Sequence, residues 1–64
     1  MSQKEFEKRL LAFLKKEGGL VLYEEITQWK MQHPEFSGCS IKDALKSLEA
    51  QGLVELTDRG AKAK

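Results

Sequence analysis

The stretch Ser40-Ile41-Lys42-Asp43-Ala44-Leu45-Lys46-Ser47-Leu48-Glu49-Ala50-Gln51-Gly52-Leu53-Val54-Glu55-Leu56 decides the fold. Ile41, Ala44, Leu45 and Leu48 recur at the spacing that lays one stripe of an α-helix against a core. Ser40 stands where a hydroxyl caps the first turn, and Asp43 lies close to the capping-box position. Gly52 stops the helix, because glycine enters the left-handed conformation at little steric cost. The run Leu53 to Thr57 then reads as a strand, with Asp58-Arg59-Gly60 as a hairpin turn. The pattern predicts a helix over 40–51 and the main strand of a small β wing over 53–57.

Upstream, two more amphipathic segments complete a mostly α chain. Ser2 is a good N-cap with Glu5 at the capping-box position, and Phe6, Leu10, Phe13 and Leu14 form a core stripe that Leu11 widens. Lys15 and Lys16 suit the negative end of the dipole before Gly18-Gly19 closes this first helix, expected over 3–17. Leu20-Val21-Leu22 is the candidate for a first, minor wing strand. A second helix is expected over 23–33, with Glu24 and Glu25 in its first turn and Pro34 as its stop. Ile26 and Trp29 share its core side. The connection His33-Pro34-Glu35-Phe36-Ser37-Gly38-Cys39 exceeds the shortest helix-turn-helix turn, and Phe36 is placed to plug the space between helices. Ala61-Lys62-Ala63-Lys64 is poor strand material, readable as a short return strand or a frayed basic tail.

With 64 residues the chain is a single domain, 1–64, burying roughly 60% of the surface it exposes when unfolded. Its 41% hydrophobic residues suffice for one small core and its 33% charged residues for a solvated shell, with no room for an enzyme-sized cavity. We therefore expect no catalysis, cofactor or metal. The single Cys39 has no partner for an internal disulfide, which suggests an intracellular setting, cytoplasm or nucleus/nucleoid. No apolar run approaches the ~18 residues of a membrane span. The net charge of +1 argues against a strongly basic nucleic-acid binder, so charge distribution must carry that reading.

In a helix-turn-helix the last helix enters the major groove with its outward face. Here that face carries Lys42, Asp43, Lys46, Ser47, Glu49 and Ala50. Lys42 and Lys46, one turn apart, suit phosphates, whereas Asp43 and Glu49 repel them. No arginine, asparagine or glutamine sits mid-face for bidentate base contacts, so backbone contact with weak sequence discrimination is expected. Ser37 and Ser40 are candidate phosphate ligands at the helix N-terminus, although capping is the simpler role for Ser40. In the wing, Arg59 and Lys62, with Lys64, form a second basic cluster against Glu55 and Asp58. Lys4, Lys8, Lys15 and Lys16 alternate with Glu5, Glu7 and Glu17 and read as a solvated face. Tyr23 and Met31 are candidates for an exposed patch that meets a protein partner. His33 and Cys39 lack a third orienting group, which argues against a nucleophilic pair.

The layout is similar to the winged helix-turn-helix superfamily over nearly the whole chain. The carrying residues are Leu10 to Leu14, Tyr23 to Ile26 and above all Ile41 to Val54. A narrower set, Lys16-Glu17-Gly18, Glu24-Glu25 and His33-Pro34-Glu35-Phe36, resembles the plectin-type winged helix of a eukaryotic small-subunit ribosomal protein and points toward RNA. The superfamily resemblance implies a nucleic-acid-binding domain in transcription regulation or an architectural role, DNA before RNA, through Ser37, Ser40, Lys42, Lys46, Ser47, Arg59 and Lys62. The alternative is a protein-protein interaction module on the same scaffold within a larger complex. A homodimer through the first helix is compatible with both.

Overall fold

In the order of the chain, the computed structural model describes residues 2–64 as α1 (Gln3–Glu17), β1 (Val21–Leu22), α2 (Tyr23–Met31), a 3-10 turn (Pro34–Phe36), α3 (Ile41–Ala50), β2 (Val54–Leu56) and β3 (Gly60–Ala63). The strands form one antiparallel sheet in the order β1-β3-β2. The protein is thus a helical core with a small β wing.

Local chemistry accounts for the helix boundaries. The Ser2 hydroxyl accepts from the Glu5 N–H at 3.2 Å, and Ser40 accepts from Asp43 N–H at 3.2 Å. After α3, the Gly52 N–H donates to Glu49 O at 2.9 Å and the Leu53 N–H to Leu48 O at 3.0 Å, with Gly52 at φ 75°. Those two bonds are the Schellman closure, which satisfies orphan carbonyls while turning the chain into β2. Helix α2 ends at Met31, two residues before the expected 33. The cause is Pro34: His33 before it is extended at φ −123°, and a 3-10 turn takes over.

Of the two readings of the chain end, the structure shows the short return strand, and places it in the middle of the sheet. Residues 61–64 are neither frayed nor peripheral, because β3 is the central strand. Ala61 pairs with Val21 on one side and with Leu56 on the other, and both Gly60 and Ala61 are buried. The ladder extends past β2, with Thr57 N–H donating to Gly60 O and Lys64 N–H to Leu53 O. The Thr57 hydroxyl accepts from the Arg59 and Gly60 N–H groups at 3.2 and 3.1 Å and so braces the turn. Small residues are required here: a Cβ on Gly60 would lie 2.0 Å from the Val21 carbonyl oxygen.

Phe6, Leu10, Leu14, Ile26, Leu48, Val54 and Ala61 fill the core from three helices and the sheet. Beside them Trp29 stacks on Phe13, with ring centroids 4.8 Å apart and planes 10° apart, and meets Phe36 at 4.8 Å. Phe36 also lies 5.2 Å from Phe6 and is fully buried, so the connection supplies a core residue, as expected. The Gln3 side chain crosses from α1 to the start of α3, donating to Ser40 O at 2.9 Å and accepting from Ser40 N–H at 3.1 Å.

Two stability outcomes follow from these contacts. Phe36→Ala should cost about 3–5 kcal/mol, against a total of about 3–10 kcal/mol for a domain of this size, and chemical denaturation should find it largely unfolded. Gly60→Ala should lower the midpoint of thermal unfolding by about 4–24 °C, given about 1–3 kcal/mol for overpacking and about 4–8 °C per kcal/mol. An unchanged midpoint would contradict the close approach of β3 to β1.

Candidate nucleic-acid interface

Helix α3 has two unlike edges. Successive residues rotate by about 100°, so Lys42 and Lys46 turn toward α2 and the wing, while Asp43 and Ser47 turn toward α1. Both lysines are exposed. Among the described residues the only ion pair within 4.0 Å joins Arg9 to Glu35 at 3.8 Å, so neither lysine is held by a carboxylate.

Ser47 does not belong to the outward set. It is half-buried, and its hydroxyl donates to a Glu7 carboxylate oxygen on α1 at 2.8 Å rather than standing open to solvent. Ser40 is half-buried as well. Its oxygen takes the Asp43 cap and its backbone is spent on Gln3, which leaves the capping role as the one the structure displays. Ser37 is exposed on the loop before α3.

Arg59 is exposed in the β2–β3 turn, and its carbonyl accepts from the Tyr23 N–H at 3.2 Å. The Tyr23 hydroxyl donates to Thr57 O at 2.7 Å. These two bonds seat the turn on the start of α2, on the same side of the molecule as the α3 lysines. Lys62 is different. It pairs in register with Glu55, and both are exposed on the sheet face opposite the one that carries Leu56. The sheet therefore separates Lys62 from the α3 lysines and sets a carboxylate beside it.

Between α2, α3 and the wing lies a groove of about 340 Å³. Ile41, Leu45 and Leu56 form its floor, Tyr23 and Thr27 one wall, and Lys42 and Lys46 its lip. Tyr23 is accordingly half-buried, whereas Met31, at the far end of α2, is 76% exposed. Eight residues of helix place them about 12 Å apart along the axis, so the expected single Tyr23–Met31 patch does not form. From sequence Leu45 reads only as a core-stripe residue, and neither Thr27 nor Leu56 is marked as lining a site. The i, i+4 pairs Tyr23–Thr27 and Ile41–Leu45 were a signal that two helix faces could oppose each other. Whether the helices leave a gap is a tertiary matter.

His33 donates from Nδ1 to Trp29 O at 2.7 Å and sits 5.5 Å from the Trp29 ring, which makes it a helix-end and packing residue. Cys39 is 8% exposed and belongs to the core. No helix among the described residues is long and apolar enough to cross a membrane. Comparison with protein-family models, curated proteins and solved structures found no match.

Ser47→Ala offers a direct check of the division between the two edges of α3. The bond to the Glu7 carboxylate is charge-assisted, so its loss should cost about 1–2 kcal/mol of stability by denaturant titration. Binding of any ligand by the lysine edge should stay within twofold of the parent, as read by titration of the folded variant.

Proposed function

We propose that the domain is a winged helix-turn-helix that binds nucleic acid through α3 and the wing turn, in a regulatory or architectural role. One observation carries this reading: Lys42 and Lys46 stand exposed one turn apart on α3, unpaired by carboxylates, with the Arg59 turn seated beside them on α2. The major groove of B-DNA admits an α-helix and the deep, narrow groove of A-form RNA does not, which favours DNA. The contact set is Lys42, Lys46 and Arg59, with Ser37 at its margin and Lys62 reduced by Glu55.

Binding of this kind is mostly phosphate contact. Three neutralised phosphates give a slope of log affinity against log salt of about −2.7, at about 0.9 per contact. The double substitution Lys42→Ala, Lys46→Ala should weaken binding alike on every duplex and flatten that slope by about two units. Titrating duplexes of differing sequence at two salt concentrations tests both statements. An absence of binding at low salt would end the proposal, and an effect confined to one sequence would overturn its non-discriminating character.

A second reading has its own observation. The lysines border an apolar groove that includes Tyr23, and the small, separate thymine methyls of a duplex major groove would leave most of it unfilled. That feature favours a protein partner docking on the same scaffold.

A further inference from the structure

We infer that the groove between α2, α3 and the wing docks a short acidic segment of a partner protein, one bulky apolar side chain entering the groove while neighbouring carboxylates meet Lys42 and Lys46. This deepens the protein-partner reading and rests on it. It shares the two lysines with the nucleic-acid contact, so the two ligands exclude one another.

The chemistry of the groove selects this occupant. Its floor is Ile41, Leu45 and Leu56. The two hydroxyls on its wall are already used internally: Tyr23 donates to Thr57 O at 2.7 Å, and Thr27 donates to Tyr23 O at 2.9 Å. A polar occupant such as a nucleobase would leave its ring-edge donors and acceptors without partners against such a surface. An aliphatic or aromatic side chain loses nothing there and gains apolar burial. At about 340 Å³ the space lies at the small end of ligand pockets, suited to one anchoring side chain.

Charge selects what flanks the anchor. The whole chain is nearly balanced, with 11 Lys and Arg against 10 Asp and Glu, yet the groove is lined by two lysines and no carboxylate. Glu49 follows on the same side of α3 beyond the groove, and Asp43 faces the other edge, so the attractive field is limited to the Lys42–Lys46 lip. Exposed charges of this kind give orientation and on-rate, while the buried side chain gives affinity.

The test uses a fluorescein-labelled synthetic peptide of aspartate and glutamate around a central Leu-Phe pair, and a control peptide with serine in both central positions. Fluorescence anisotropy should show saturable binding of the first peptide. The control should bind about tenfold more weakly or worse, since anchoring side chains dominate docking energetics. Lys42→Glu with Lys46→Glu should weaken the first peptide by about tenfold or more, two exposed ion pairs having become repulsions. Thr27→Phe, which fills the groove from its wall, should abolish binding.

Thermal melts identify folded variants, and should Thr27→Phe fail to fold, the control peptide and the lysine reversal decide between them. No saturation of the first peptide by about 1 mM overturns the inference. Equal binding of the serine control also overturns it, because attraction would then be charge alone. So does a thymidine oligonucleotide that loses binding in Thr27→Phe while the peptide does not, since the groove would then hold a base. Peptide binding without any duplex binding supports the inference and retires the nucleic-acid proposal, whereas duplex binding without peptide binding does the reverse.

Discussion

Backbone pairing along Gly60–Ala63 is the contact on which the wing depends. Strands β1 and β2 have two and three residues and do not pair with each other; within the sheet each is hydrogen-bonded only to β3. Ala61 is the shared point, opposite Val21 and Leu56 at once. Such short strands have no stability alone, so the sheet exists because a third strand lies between them under the helices. That strand has to be thin. The start of α2, the end of α3 and the turn that holds Arg59 are all positioned through it.

The same economy of contacts divides α3 lengthwise. Its edge toward α1 is occupied by internal bonds, Ser40 with Gln3 and Ser47 with Glu7, whereas its edge toward α2 bears the exposed lysines above an apolar floor. One side of the helix is thus committed to the fold and the other left open to solvent. Here the committed side is polar as well as apolar, which explains why a hydroxyl at position 47 is not available outside. Near-neutral net charge is compatible with a basic lip because no carboxylate lines the groove: Glu7 faces α3, Glu35 meets Arg9 and Glu55 lies opposite Lys62.

Much of this architecture was readable in the residues, for reasons that differ from place to place. Ser2, Gly18, Ser40 and Gly52 mark helix ends through local hydrogen bonding and backbone freedom, which do not wait for tertiary structure. The stripes Phe6–Leu10–Leu14 and Ala44–Leu45–Leu48 are likewise local in pattern. Gly60 to Lys64 resisted such reading because strand propensity chiefly measures how side chains pack on a half-buried sheet, whereas this strand is selected for lack of side chain. Ser47 could be assigned an angle about the helix, but not the neighbour standing at that angle. The groove was hidden for a similar reason: facing residues can be counted from sequence, but the distance between two helices is set by everything else in the core.

The bridge from Gln3 to Ser40 bears on how α3 meets a ligand. A side-chain amide that both gives to and takes from the backbone of one residue behaves like a single rung of a sheet, and only glutamine has this reach and both polarities; glutamate lacks the donor and asparagine is a methylene short. Because that rung lies at the first turn of α3, the helix is held at its entry by α1 and at its exit by the Schellman closure. Its tilt is set before any partner arrives. A ligand that docks on α3 therefore does not have to order the helix, and the entropy that a loosely hinged helix would surrender on binding has already been lost in folding.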